Sequence, residues 1–315
     1  MNKQSKILIV GHGDVIEESL LRYFEGSGYK NVFSSSRIAP DIVLNQSSLF
    51  RYFENERPEF VFLASTRSGG IAANQKFPAE FIYHNLESQN NIIHASYKAG
   101  VKKLLFFAGS CVYPKDCSQP IKEEYLLSGP LEETSEAYSI AKIAGIKLCQ
   151  AYKKQYGFNA IVAIPATVYG PGSDSDIETA HVIGALIGKF ASAVAGKEKE
   201  VVVWGTGTPR REFLFAEDFV DACLFLMDQY HGAQLINVGC GMDVSIKELA
   251  EIIKNISGFK GKIVFDQTKP DGTLSKLTDH SKISKMGWKA KVSLEKGVEK
   301  TYRWYIQSKS TELKK

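Results

Sequence analysis

The stretch Val101–Lys115, VKKLLFFAGSCVYPK, followed after a connection by Glu136–Gly157, EAYSIAKIAGIKLCQAYKKQYG, decides how the rest of the chain is read. Leu104 to Ala108 is a continuous apolar run with Lys102 and Lys103 before it and Gly109 after it. That is the pattern of a strand buried on both faces of a parallel sheet. Its C-terminal end delivers Gly109, Ser110 and Cys111 to the edge where open α/β sheets carry out their chemistry. Tyr138 and Lys142 follow with a spacing of four, which on a helix stacks them one turn apart. A phenol ordinarily titrates near ~10, too high for proton transfer at neutral pH, and an ammonium one turn away favours its ionised form. A second Tyr-x-x-x-Lys, Tyr305 to Lys309, has no strand before it and enters what reads as a frayed tail from Ser308 to Lys315. The spacing gains its meaning from the strand upstream.

Outward from this centre the chain alternates short apolar runs with amphipathic ones. Lys6–Val10 leads into Gly11-His12-Gly13 and a helical pattern through Leu20, Leu21, Tyr23 and Phe24. Strand, glycine turn and helix open a dinucleotide-binding unit, with Ile16 at the third glycine position and Asp14 where phosphate would come. Val32-Phe33 ends a second strand, followed by Ser34-Ser35-Ser36-Arg37. Hydroxyls and an arginine there suit a 2′-phosphate, where an acid would suit a free ribose hydroxyl. Strands at Phe60–Ala64 and Ala160–Ile164, with a helix at Phe81–Tyr97 between them, complete a doubly wound parallel sheet. Residues 1–165 read as a Rossmann-like cofactor domain to which part of 213–240 returns. Residues 166–212 and 241–308 read as a smaller α/β substrate lobe, and 309–315 as tail. In that lobe a helix is expected at His181–Phe190, a strand at Val201–Trp204, a helix at Ser245–Ile253 with Ser245 as N-cap, a loop over 173–178 and a turn at 269–272.

Bulk properties narrow the classes. The 315 residues are 44% hydrophobic and 23% charged, with a net charge of +4, too small to argue for nucleic acid. No apolar run approaches a membrane span or a signal peptide, so a cytoplasmic protein is expected. Five cysteines without a CxxC suggest neither a disulfide framework nor a metal site.

Six blocks, GGIAANQKFPAEFIYHN, SCVYPK, AYSIAKIAGIKLCQAY, ETAHVIGALI, VVVWGTGTPRREFL and KPDGT, occur in order along the chain. Together they resemble the extended short-chain dehydrogenase/reductase family, and within it the GDP-4-keto-6-deoxymannose 3,5-epimerase/4-reductases. The resemblance implies NADP(H) as cofactor, a GDP-sugar as substrate and a homodimer built on the helices at 81–97 and 138–156. It implies that Tyr138 and Lys142 form the catalytic pair at the C4 oxygen, and that Cys111 and His181 exchange protons at C3 and C5. Cofactor contacts are implied at Gly11, Gly13, Arg37, Ala64, Lys142 and Pro165, and contacts to the GDP moiety at Lys189, Trp204, Arg211 and Lys276. The family's catalytic serine falls on Gly109, with Ser110 beside it. The glycine loop is one residue short, Thr167 replaces an asparagine, and Asn45-Gln46 stand where an aspartate is usual. A reading of another class stays open: a weakened homologue that binds nucleotide sugar or cofactor as a sensing or scaffold subunit.

Overall fold

The computed structural model describes residues 1–38, 40–64, 67–174, 180–269 and 271–312. The expected loop over 173–178 and turn at 269–272 therefore lie partly outside the described residues.

The central layer is a six-stranded parallel sheet of β1 (Ile7–Val10), β2 (Val32–Ser34), β3 (Phe60–Leu63), β4 (Lys103–Phe107), β5 (Ala160–Pro165) and, late in the chain, a strand at Ile236–Val238. The spatial order runs β2-β1-β3-β4-β5 and ends on that late strand. The direction of winding reverses between β1 and β3, so their C-terminal ends open a crevice. Alternation along β4 explains how one strand serves two faces. Leu104 and Phe106 enter the core under helices at Gln46–Glu56, Pro78–Lys98 and Glu136–Tyr156, and Leu105 and Phe107 enter the core under helices at Val15–Gly26 and Ala216–Gln229. In chain order these helices, with short ones at Ser35–Ile38 and Ile71–Lys76, are α1 (Val15–Gly26), α2 (Ser35–Ile38), α3 (Gln46–Glu56), α4 (Ile71–Lys76), α5 (Pro78–Lys98) and α6 (Glu136–Tyr156).

Lys103, which reads as a polar flank, is instead the buried first residue of β4. Its Nζ donates to the carbonyls of Leu226 and Met227 at 3.0 and 2.7 Å, near the end of the 216–229 helix. Such orphan carbonyls need a donor, and a lysine is the natural one. Helix α3 has no counterpart in the sequence reading; Asn45 caps it through Ser48 N–H at 2.9 Å.

The second lobe has its own core, which includes Ile183, Ile187, Phe190, Val203, Phe213, Leu249 and Ile253. It is built from β6 (Thr167–Tyr169), α7 (Val182–Ala195), β7 (Glu200–Trp204), β8 (Arg210–Phe215), β10 (Asp243–Ser245), α9 (Ile246–Ser257), β11 (Lys262–Asp266), β12 (Ser275–Lys276) and α11 (Leu294–Glu312), while α8 (Ala216–Gln229), β9 (Ile236–Val238) and α10 (Ser281–Lys285, through Ile283) return to the first sheet and its core. Ser245 caps α9 as expected, in a reciprocal box with Glu248. The expected fraying from Ser308 is corrected: α11 continues to Glu312, and Tyr305 and Lys309 both lie on it. Tyr305 packs against the second lobe's core, which gives this second Tyr-x-x-x-Lys a structural role.

Candidate active site

Helix α6 carries the pair into the crevice. Lys142 is 1% exposed, and its Nζ donates to Phe107 O at 2.9 Å and Ala64 O at 3.5 Å, the ends of β4 and β3. It stands 4.6 Å from the Phe106 ring centroid and 5.9 Å from that of Tyr138. Burial drives its pKa down from 10.5 to about 7, against the opposing pull of Cys111 and Asp14. This refines the expectation that Lys142 acts as a fixed positive charge. Near neutral pH the ammonium is only partly populated until a negative group joins it.

Cys111 lies in the 3-10 turn Ser110–Val112, directly after the end of β4, and is partly exposed. It is an electrostatic neighbour of both Lys142 and Lys276, and any negative charge on its sulfur favours the protonated form of each. His181 immediately precedes α7, does not cap it with its side chain, and is open to solvent. Protein crowds the ring enough that desolvation lowers its pKa, while Asp14 and Asp174 pull the other way. A histidine held neutral but wet is ready to accept a proton. Asp14 influences both Lys142 and His181, so the two expected catalytic positions from different lobes face a common region.

The remaining expected residues fall in two groups beyond Cys111. Arg211 and Lys276 are paired across β8 and β12. Burial lowers the pKa of both, partly offset by Glu132 in each case. Arg211 Nη1 donates to Thr273 O at 2.6 Å and to Arg210 O at 2.7 Å, so part of its fork holds the loop before β12. Lys189 Nζ donates to Val202 O at 2.9 Å and lies 5.3 Å from the Trp204 ring, which Lys269 also approaches at 5.4 Å. Asp271 ties this loop to the next one, accepting from Thr206 N at 3.0 Å and Thr206 Oγ1 at 2.6 Å. An aromatic face with several cations beside it is an arrangement suited to a base and a diphosphate.

The glycine turn departs from expectation. Gly13 has φ +83°, as a tight glycine turn requires. Asp14, however, caps α1, its Oδ1 accepting from Ile16 N at 3.1 Å and Glu17 N at 3.0 Å. Glu17 is fully buried; its Oε2 accepts from Gly13 N at 2.6 Å, and its Oε1 from Ser36 Oγ at 2.8 Å and from the Ser34 hydroxyl. Arg37 is paired with Glu25 at 2.6 Å and Glu18 at 3.8 Å. The expectation that no acid stands near Ser36 and Arg37 is thereby corrected: the acids come from α1, remote in sequence. Lys142 and Tyr138 are the residues that would hold a nicotinamide ribose at the ends of β3 and β4. A diphosphate does not fit the glycine turn as it stands, because the Gly13 amide serves the Glu17 carboxylate and the Gly11 amide the Ser35 hydroxyl. Asp14-x-x-Glu17 looks in sequence like an ordinary capping box, which is why Glu17 escaped notice.

Residues 7–239 match the model of the NAD dependent epimerase/dehydratase family. The chain belongs to that family. It is 49% identical to the probable GDP-L-fucose synthase 1 of Oryza sativa subsp. japonica, over 98% of this chain and 94% of that one. A GDP-6-OMe-4-keto-L-xylo-heptose reductase from C. jejuni superposes with a TM-score of 0.90 at 35% identity, covering 98% of this chain and 99% of that one. MlghC, a GDP-mannoheptose C4 reductase from Campylobacter jejuni with NADP bound, gives a TM-score of 0.86 at 36% identity, covering 97% and 99%. The NADP-bound relative agrees with NADP(H) as the cofactor of this class. Where the phosphates would sit is what this chain alters.

Proposed function

We propose that this chain is an NADP(H)-class epimerase/reductase acting on a GDP-linked 4-keto sugar, either a 6-deoxyhexose or a deoxyheptose relative. The relatives named for GDP-L-fucose synthesis and for GDP-heptose reduction support both sugar lengths. The observation that carries the proposal is a chain of electrostatic neighbours at the ends of β3, β4 and β12: His181 and Lys142 each feel Asp14, Lys142 and Lys276 each feel Cys111, and Lys276 feels Arg211. Lys189 and Trp204 extend the same lobe for the guanosine end.

Hydrogens at C3 and C5 are acidified by the C4 ketone. Removal of one leaves its electron pair as an enolate whose charge rests on the C4 oxygen, where the Tyr138 phenol would donate. A thiol and an imidazole from different lobes supply base and acid on opposite faces, so that return of a proton inverts the carbon. This exchange is balanced without any redox partner. Reduction at C4 needs a hydride, which NADPH supplies when bound.

Helices α5 and α6 lie side by side, with Tyr83 60% and Ile140 42% exposed. This supports a homodimer in which these helices meet their copies. No described helix is long and apolar enough to cross a membrane. The second reading, a homologue weakened toward binding, draws support from Glu17 and Gly109. Incubation with GDP-4-keto sugars in D2O, with and without NADPH, tests the proposal by reading α-deuterium uptake and C4 reduction separately. Absence of both with every sugar tried would leave the binding subunit as the better reading.

A further inference from the structure

A glycine turn that runs into a helix presents amides to one anion, and in this architecture the anion is the diphosphate of a dinucleotide. Here the two glycine amides of the turn are already satisfied from within the chain. Glu17 Oε2 takes the amide of Gly13 at 2.6 Å, and Ser35 Oγ both accepts from Gly11 N at 3.2 Å and donates to Gly11 O at 3.1 Å. The Glu17 side chain lies directly over the turn. A Cβ built on Gly11 would come within 2.8 Å of Glu17 Oε2 and 2.9 Å of Glu17 Cβ, so the space a close-approaching ligand needs is filled. The other carboxylate oxygen collects the Ser34 and Ser36 hydroxyls, which stand where an adenosine ribose and its phosphate would be read. Among the described residues no cation forms an ion pair with Glu17. A buried carboxylate without a cation persists only where hydrogen bonds replace its hydration. The Gly13 amide of the turn and the Ser34 and Ser36 hydroxyls provide them, the groups that would otherwise face an anion there.

We propose that Glu17 is a built-in occupant of that seat: the diphosphate of NADP(H) competes with the chain's own carboxylate, and this one residue sets the cofactor affinity low. The inference rests on the reading of the chain as an NADP(H)-class enzyme. Binding the cofactor in its usual place requires Glu17 to leave the turn and give Gly13 N and the two serine hydroxyls to phosphate oxygens. If the carboxylate stayed, it would face a like-charged diphosphate at close range, with Asp14 adding to the repulsion. Reduction is thereby held back at the binding step, while proton exchange at the far end of the crevice requires no diphosphate.

The test is direct titration with NADPH, read by nicotinamide fluorescence and by calorimetry, of the parent, Glu17→Gly and Glu17→Gln, each with GDP titrated as a control for an intact second lobe. Glu17→Gly is expected to tighten NADPH on the order of 10- to 100-fold, the scale of relieving close like-charge contact. Glu17→Gln keeps the shape and hydrogen bonds but not the charge, and is expected to tighten NADPH by a smaller factor. GDP affinity stays constant throughout. The proposal is overturned if Glu17→Gly leaves NADPH affinity unchanged while GDP still binds. It is equally overturned if Glu17→Gln weakens NADPH, since Glu17 would then be a ligand of the cofactor. Should Glu17→Gly fail to fold, the isosteric Glu17→Gln decides alone. These are binding readouts, so they stand apart from the D2O exchange that tests the function itself.

Discussion

Replacing Gly109 by serine probes the reductive half at its chemical step. Gly109 has φ −131° and ψ 159°, extended backbone that any residue adopts, so its glycine freedom is unused. A Cβ there would sit 3.5 Å from Cys111 Sγ and 4.0 Å from Tyr138 Cε1, both ordinary contact distances. Serine therefore enters without strain, with an expected stability change within ~0.5 kcal/mol. Its hydroxyl would stand between the thiol and the phenol ring, where charge builds on the C4 oxygen during reduction. One such fixed donor is worth on the order of 10²-fold in rate, or about 2.7 kcal/mol. The assay is single-turnover oxidation of NADPH with a GDP-4-keto sugar, at cofactor concentrations that saturate the site. Gly109→Ser is expected to raise that rate by on the order of 10², and Ser110→Ala to leave it nearly unchanged. Ser110 opens the 3-10 turn, and the extended conformation at 109 does nothing to redirect it into the serine's place. The reasoning is refuted if Ser110→Ala abolishes reduction while Gly109→Ser adds nothing, because Ser110 would then already be the donor.

Cys111→Ser should slow α-deuterium uptake on the order of 10²-fold with an unchanged melting temperature; exchange as fast as the parent would make Cys111 a packing residue. Burial lowers the Lys142 pKa from 10.5 to about 7, so the unfolded chain binds more protons between those values and stability rises with pH across that window. Lys142→Met should remove this rise and stabilise the ligand-free protein most near pH ~6, by at most roughly 5 kcal/mol; thermal melts across the window that stay parallel to the parent's would refute it. Arg37→Ala should weaken NADPH more than NADH, since exchanging the exposed Glu25 and Glu18 pairs for a 2′-phosphate costs little; equal losses would show that Arg37 does not read the phosphate. The parent should scatter light as a dimer at micromolar concentration and a Tyr83→Glu, Ile140→Glu double variant as a monomer; a monomeric parent ends the argument for the α5–α6 interface.

What could be read in the sequence follows the distinction between local pattern and contact at a distance. Leu104 to Ala108 and the alternating elements around it declare a parallel sheet because a strand buried on both faces has no other composition. Tyr138 and Lys142 declare a shared helix face because their spacing is geometric. β10, β12 and the first half of β8 were missed because Arg210-Arg211-Glu212 and Ser275-Lys276 are polar and become strand by pairing with one another across the lobe, while the apolar half of β8, Phe213 to Phe215, pairs with β6. Glu17 was missed for a related reason. Its partners are Gly13 nearby, Ser34 at the end of β2 and Ser36 in α2, a juxtaposition set by the parallel pairing of β1 with β2. The lowered pKa of Lys142 was also hidden, since a one-turn spacing says nothing of how deeply the helix is buried.

Glu17 and Gly109 bear on opposite ends of one cofactor, and physical reasoning keeps their effects apart. A carboxylate seated on the Gly13 amide alters the free energy of binding before any bond changes. A hydroxyl missing beside Tyr138 matters only as charge develops on the C4 oxygen, so it alters the rate at saturation. The Glu17→Gly, Gly109→Ser double variant should therefore show the tighter binding of the first and the faster turnover of the second, because the two positions share no hydrogen-bond partner. Cys111 and His181 belong to neither effect. The exchange they would perform moves a proton out and back without a diphosphate, so an occupied seat restrains reduction alone, whereas the absent serine weighs on both steps, because enolate charge and hydride-transfer charge each rest on the C4 oxygen. Deuterium uptake without cofactor should therefore respond to Gly109→Ser alone, and C4 reduction to Gly109→Ser and Glu17→Gly together.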